Sequence, residues 1–200
     1  CHQRRLTVSG EFAGVPGWDA RALGGRRMPK ILQQTGGDVV EIILADHRWF
    51  EEALRELRDV RSDRAAVLAD LATVLIAHAE AEESKVYPRL RKKKAIDAEE
   101  VEHSEHEHDE GNEALLALME VEDTSSEEFS EKEHELSEAL SHHLDEEERD
   151  VLNPARTDVT QEDRDRLGAD FAAERARLID KDCGTLTNVR KIVEKASKKS

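Results

Sequence analysis

Apolar residues in this chain recur at spacings of three and four positions, and this helical periodicity limits the fold more than any other feature. The first periodic segment has one apolar face, which comprises Val40, Ile43, Leu44, His47, Phe50, Leu54 and Leu57. A second segment repeats the spacing from Leu68 to Val86, and Ser62 is placed to cap it. Helices with one apolar face bury that face against one another, which is typical of a helix bundle.

Capping residues predict where the later helices begin. Asp97 and Thr124 are each followed by Glu three residues on, so they predict the starts of a third and a fourth helix. Asn153-Pro154 predicts the end of the fourth helix, because proline is a poor continuation of a helix. Thr160 opens a shorter fifth segment. The sequence therefore predicts an all-α fold, an antiparallel up-down four-helix bundle with a C-terminal extra helix.

Composition divides the chain into three parts. Residues 1–37 hold seven of the ten glycines and have no helical period, which predicts a flexible N-terminal arm. Residues 38–156 form the predicted bundle. Residues 157–200 are predicted to form a C-terminal helical extension that ends in a basic tail.

The charge balance excludes some classes of partner. The chain has 46 acidic and 30 basic residues, a net charge of −16, and a general nucleic-acid binder needs the opposite sign. No apolar run reaches the roughly 18 residues that a membrane-spanning helix needs, so we expect no membrane partner. Cys1 and Cys183 lie at opposite ends with no CxxC pair, and we expect a cytoplasmic location.

The chain has nine histidines, and their helical faces distinguish them. Seven of the nine have Glu four residues later, so the HxxxE spacing alone selects nothing. His47, His78 and His143 follow apolar residues at the offsets that place them on a core face, whereas His142 follows glutamates and faces solvent. A metal inside a helix bundle is bound from the core face, so the first three are candidate ligands.

An internal repeat adds His108 to this set. Glu, Ala, Leu and Leu follow His47 at +5, +6, +7 and +10, and the same residue types follow His108 at the same offsets. A His-xxx-Glu-Glu motif begins at both His78 and His143. The chain thus consists of two helical hairpins, each with a lone histidine followed by HxxxE. The predicted metal site comprises His47, His78, Glu82, His108, His143 and Glu147.

These residue types favour a metal over the alternatives. Core histidines and glutamates without a partner would each cost free energy, and a metal satisfies both. His and Glu without Cys favour iron, zinc or manganese, and two carboxylates able to bridge suit a two-iron centre. A ferritin-like di-iron enzyme needs ExxH motifs, and none lies around His47, His78 or His143. A metal-free helical interaction protein is the remaining alternative, and it leaves the core histidines unexplained.

The motifs DHR, HAEAEE followed by YP, EHDEGNEALLAL and HLDEEERDV resemble, in order and spacing, the hemerythrin-like (HHE cation-binding) domain family over roughly residues 38–156. Residues 157–190 are similar to the C-terminal extension of actinobacterial members. The resemblance implies two non-haem iron ions per chain, bound by His47, His78, His108 and His143. It also implies that Glu82 and Glu147 are the bridging carboxylates.

The resemblance also directs attention to one ligand position. The family's oxygen carriers have a fifth histidine on the third helix, but here Ser104 and Asn112 occupy the one-turn neighbours of His108. An iron position would then be open to water, peroxide or nitric oxide. Glu51, four residues after His47, is predicted to face the core and to be able to fill this gap. His103 and His106 are weaker candidates.

The function predicted from the sequence is a non-haem di-iron protein that binds or senses dioxygen, nitric oxide, peroxide or iron in the bundle core. The alternative is a peroxide-degrading enzyme of the catalase or peroxidase kind. The sequence shows neither a dedicated general base nor a substrate pocket, so both remain open.

Overall fold

The computed structural model describes residues 34–198, which are largely helical. The α-helices in that range are α1 (Val39–Arg58), α2 (Arg64–Ala81), α3 (Tyr87–Lys93), α4 (Ala98–Met119), α5 (Glu127–Glu147), α6 (Asn153–Asp158), α7 (Gln161–Ile179) and α8 (Leu186–Ala196). This architecture confirms the predicted all-α bundle with an additional C-terminal helix. Residues 1–33 of the predicted N-terminal arm lie outside the described residues.

Side-chain caps begin the long helices. Asp97 caps α4 and Thr160 caps α7, as predicted, each by accepting a hydrogen bond from the backbone N–H three residues on. The caps of α2 and α5 are Asp63 and Ser126, which lie one and two residues beyond the predicted positions. Ser, Thr and Asp cap about equally well, so the sequence alone does not decide between neighbours of these types.

α2 and α5 each continue into a π-helical turn, Glu82–Val86 and Glu148–Leu152. Each turn leads into a short helix with a proline in its first turn, Pro88 in α3 and Pro154 in α6. In a regular α-helix a proline ring clashes with the carbonyl four residues earlier, and a wider turn relieves that clash. The helix stop predicted at Asn153-Pro154 is therefore wrong, because the chain passes through the proline without leaving the helical path.

Buried apolar side chains form two clusters, and the predicted metal ligands lie near the boundary between them. In α1, residues of one cluster, such as Ile43, precede His47, and residues of the other, such as Phe50, follow it. In α2 the order is reversed, with Leu71 before His78, as expected for an antiparallel neighbour. The polar site thus occupies the middle of the bundle, with apolar packing on both sides.

The two C-terminal helices complete the packing. α7 packs against α1 and α2, and it inserts the fully buried ring of Phe171 between them. α8 packs against α4 and has Val189 fully buried, where the sequence predicted only a basic tail. Among the described helices, none is both long and apolar enough to cross a bilayer.

Two helical glycines should respond in opposite ways to alanine. A Cβ at Gly168 in α7 would overlap the carbonyl oxygen of Gly37, whereas a Cβ at Gly111 in α4 would meet only Leu140, at 3.8 Å. We expect Gly168→Ala to lower the free energy of unfolding by about 1–3 kcal/mol through overpacking. Gly111→Ala should raise it by up to about 1 kcal/mol, because alanine is the better helix former. Urea unfolding measures both, and a Gly168→Ala variant as stable as the parent would contradict the packing of α7 on the start of α1.

Candidate metal centre

All six ligands predicted from the sequence are buried, none being more than 6% exposed. Their donor atoms form two groups, and within each group these atoms lie within 4.8 Å of one another. The first group comprises His47, His78, Glu82 and Glu147, and the second comprises Glu82, His108 and His143. Glu82 belongs to both groups, so the fold brings the whole predicted set together around one shared carboxylate.

In the first group, carboxylate oxygens lie close to imidazole nitrogens, but the geometry of these contacts is not that of a hydrogen bond. His47 Nε2 lies 3.1 Å from Glu147 Oε2, and His78 Nε2 lies 3.1 Å from Glu82 Oε1. All four atoms are buried and none has a hydrogen-bond partner. Buried polar atoms are rarely left this way, because each costs about 1–3 kcal/mol. A metal ion among them would satisfy all four, so these residues fit the role of ligands.

In the second group, Glu82 contributes its other carboxylate oxygen. Glu82 Oε2 lies 3.4 Å from His108 Nε2, so the two oxygens of this carboxylate face different groups, as in a bridging ligand. Glu147 Oε2 lies 4.0 Å from His143 Nε2 as well as close to His47. His108 Nε2 and His143 Nε2 are only 3.1 Å apart. Two nitrogen lone pairs at this distance repel each other unless a proton or a metal lies between them.

Each of the four histidines has a second carboxylate behind it, with 3.0 Å between Nδ1 and the carboxylate oxygen. The pairs are His47 with Glu148, His78 with Asp46, His108 with Glu83 and His143 with Glu107. We assign the Nδ1–H as the donor in each pair, which leaves Nε2 facing the centre. Metal-binding histidines are commonly oriented by such carboxylates, which also make the ligand nitrogen more basic.

These four outer carboxylates were missed in the sequence, although the repeat contains a signal for them. An acidic residue directly precedes the lone histidine of each hairpin, at Asp46 and at Glu107. Another directly follows each HxxxE glutamate, at Glu83 and at Glu148. The first kind holds a histidine of its own hairpin and the second holds a histidine of the other hairpin, so the two halves of the chain use the same arrangement.

α7 contributes to the centre through Asp46. Arg175 is 1% exposed and its guanidinium forms an ion pair with Asp46, whose Oδ2 accepts from His78 Nδ1. The ring of Phe171 packs edge-on against the His78 imidazole, with centroids 5.6 Å apart. The C-terminal extension therefore positions a predicted ligand as well as covering the bundle.

Tyr87 is a further residue to which the sequence assigned no role. Its hydroxyl donates to Glu147 Oε1 at 3.0 Å and lies 3.5 Å from both Glu82 Oε2 and His108 Nε2. Burial raises the pKa of Tyr87, and the charges of Glu147 and Glu82 raise it further. The phenol therefore holds its proton at the edge of the centre.

The prediction that Glu51 faces the core is wrong. Its side chain is 60% exposed and lies 3.4 Å from Arg55. The +4 spacing does not decide the face, because Glu82 and Glu147 have the same offset from His78 and His143 and are buried in the centre. The weaker candidates His103 and His106 also lie outside the centre, with side chains 49% and 67% exposed.

A cavity of about 10 Å³ lies beside the ligands and is lined by Phe50, Leu75, His78, Ala79, Glu107, His108, Gly111, Asn112, Leu140, His143 and Leu144. Ala79 and Asn112 also line a surface groove of about 470 Å³, together with Glu80 and Glu83. Ser104, the other one-turn neighbour of His108, donates its hydroxyl to the Glu100 carbonyl. The cavity has room for about one water-sized molecule.

Protons compensate the buried charge when no metal is bound. Burial alone would lower the pKa of His78, but the charge of Glu82 and the hydrogen bond with Asp46 outweigh it and raise the pKa to about 10. For His108, burial is outweighed by Glu82 and Glu83, and the pKa is again about 10. Burial would raise the pKa of Glu82, but these two histidines lower it overall.

Metal loading should therefore release protons. At pH 7 the metal-free protein holds a proton on each of His78 and His108, whose pKa values are about 10, and metal ligation requires the neutral ring. We expect the anaerobic protein to release two or more protons per chain when it is titrated with ferrous ion at pH 7. Calorimetry in buffers of different ionisation enthalpy measures the number of protons released. Binding of ferrous ion without proton release would contradict this charge balance.

The same pKa shifts predict how the metal-free protein responds to pH. The pKa values of His78 and His108 in the folded protein exceed the usual histidine value of about 6.5. The two protonated histidines therefore stabilise the fold fully below pH 6.5, and this stabilisation is lost as the pH rises towards 10. The melting temperature of the metal-free protein should accordingly fall between pH 7 and pH 10.

Comparison with known protein families identifies a domain that contains these residues. The hemerythrin HHE cation binding domain matches residues 38–155, which include all six predicted ligands. No match to the chain was found among curated proteins or among solved structures. The matched segment is more than half of the chain and contains both hairpins with their buried His and Glu groups. The chain belongs to the hemerythrin HHE cation-binding domain family.

Proposed function

We propose that this protein holds two non-haem iron ions in the bundle core and binds or senses a small ligand there, such as dioxygen, nitric oxide or peroxide. The observation that carries the proposal is the orientation of Glu82. Its two oxygens face His78 in one group and His108 in the other, at 3.1 and 3.4 Å. A carboxylate placed between two sets of imidazole nitrogens is suited to join two metal ions.

The donor set and the surrounding charge support iron. Imidazole and carboxylate donors without thiolate suit iron, zinc or manganese, and the family is a cation-binding one. Residues 97–150 carry 23 acidic and two basic residues, so a pair of divalent ions would relieve strong repulsion in this part of the chain. When bound, iron would supply electron-transfer and small-ligand chemistry that the side chains lack.

The size of the cavity supports a small ligand. The cavity of about 10 Å³ beside His78, His108 and His143 has room for about one water-sized molecule, which favours a small ligand over a larger substrate. Asn112 lines both this cavity and the surface groove, and its side chain has no imidazole that could bind a metal. The side chains of this chain would thus orient the metals, exclude bulk water and admit only small molecules.

Tyr87 is the observation that favours the alternative, a peroxide-degrading enzyme. Peroxide reduction consumes protons, and the Tyr87 hydroxyl holds one 3.0 Å from Glu147 Oε1. A metal-free interaction protein would leave the four buried atoms of the first group without partners. We also propose a cytoplasmic location, in keeping with the free, buried thiol of Cys183.

Optical spectroscopy of the iron-loaded protein tests this function. The anaerobically reduced protein is divided and exposed to nitric oxide, air or peroxide. We expect a new absorption band that saturates at about one ligand per two irons with nitric oxide or air. Rapid oxygen evolution from peroxide would instead assign the enzyme alternative. A spectrum that none of the three reagents changes would contradict both.

Neighbouring histidines provide a matched pair of variants for ligand choice. The His143 side chain is 5% exposed and faces the centre, whereas that of His142 is 66% exposed. Elemental analysis after loading should give about two irons per chain for the parent and for His142→Ala, and about one or fewer for His143→Ala. Equal losses in the two variants, or the reverse order, would show that α5 is rotated relative to the structure described.

A further inference from the structure

Two HxxxE motifs outside the iron centre face each other across the surface of the bundle. His103 and Glu107 lie one turn apart on α4, and His142 and Glu146 lie one turn apart on α5. In the sequence these motifs look like chance products of a Glu-rich segment. The antiparallel packing of α4 on α5 brings all four side chains to one place.

Donor atoms of His103, Glu107 and Glu146 lie within 4.8 Å of one another, and His142 lies beside the two carboxylates. His103 Nε2 lies 2.8 Å from Glu146 Oε2 and 3.7 Å from Glu107 Oε1. His142 Nε2 lies 3.6 Å from Glu107 Oε1 and 3.9 Å from Glu146 Oε2. Donors in a tetrahedral zinc site are about 3.3–3.4 Å apart, because each bond is about 2.0–2.1 Å long. The other three distances exceed this value by no more than about 0.6 Å, and the 2.8 Å contact is a hydrogen bond that a bound ion would replace.

Glu107 supplies an independent sign that something is bound here. Its side chain is only 5% exposed, and its Oε2 accepts from His143 Nδ1 at 3.0 Å. Its other oxygen, Oε1, is buried and has no hydrogen-bond partner, and this is the atom that faces His103 and His142. A buried carboxylate oxygen without a partner is costly, and a cation at the outer cluster would satisfy it.

The remaining groups leave the cluster accessible. Arg149 binds the Oε1 atom of Glu146 at 3.0 Å and leaves Oε2 on the cluster side. The side chains of His103 and His142 are 49% and 66% exposed, so both rings are reachable from solvent and can adjust to an ion. The cluster therefore differs from the iron centre, whose ligands are buried.

We propose that His103, Glu107, His142 and Glu146 form a second, solvent-accessible site for a divalent transition-metal ion of the zinc class. Two imidazoles and two carboxylates form a donor set typical of zinc. The site shares Glu107 with the iron centre, because the opposite oxygen of this carboxylate orients His143. An ion bound outside would therefore lie two side chains away from the nearest iron position.

Zinc binding to the full-length, iron-loaded protein tests this site. Equilibrium dialysis against micromolar Zn²⁺, with zinc and iron counted in the same sample, should show about one zinc per chain beyond the retained iron. The double variant His103→Ala/His142→Ala should bind this zinc at least tenfold more weakly. The matched control is His106→Ala/His134→Ala, which removes two exposed histidines that each have Glu one turn on but no buried carboxylate.

The comparison of the two double variants decides the outcome. Zinc lost from the first and retained by the second supports the site, and this difference can be read even in protein that holds no iron. Zinc that displaces iron one for one would overturn the proposal. So would the absence of extra zinc, its retention in His103→Ala/His142→Ala, or equal loss in both variants. Circular dichroism of both variants verifies that these surface changes leave the helices intact.

Discussion

Two carboxyl groups, Glu82 and Glu147, lie fully buried between the apolar clusters of the bundle, and compensation of their charge is the constraint on which the rest of the structure depends. Burial of a carboxylate is unfavourable unless a cation accompanies it. Protons on His78 and His108 play this part in the metal-free protein, and metal ions replace them on loading. Metal binding would then add about 3–4 kcal/mol to the folded state when free metal exceeds its Kd about 100- to 1,000-fold.

This constraint also explains why neither hairpin forms a site by itself. Glu83 from the first hairpin orients His108 of the second, and Glu148 from the second orients His47 of the first. Glu82 and Glu83 are adjacent and approach opposite nitrogens of the His108 ring, Glu82 on the side of the centre at Nε2 and Glu83 behind it at Nδ1. The centre therefore requires both halves of the repeat to pack together, and α7 supports the first of these halves by pairing Arg175 with Asp46.

The sequence predicts the features of this site that depend on local helical periodicity. His47, His78, His108 and His143 were found because each lies on an apolar stripe or in a repeat. Contacts between distant segments could not be read in this way: Arg175 and Asp46 are 129 residues apart, and nothing in their spacing indicates the pair. The same limit applies to α8 and to the Tyr87 hydroxyl, whose partners depend on how the helices assemble.

Anomalous X-ray diffraction at the iron absorption edge, on crystals of the iron-loaded protein, tests the central claim most directly. The account predicts two peaks about 3.5–4 Å apart with Glu82 between them. One peak should lie among His47, His78 and Glu147, and the other beside His108 and His143. A single peak, or iron bound only at the surface of the bundle, would contradict the claim that these buried side chains hold a pair of metal ions.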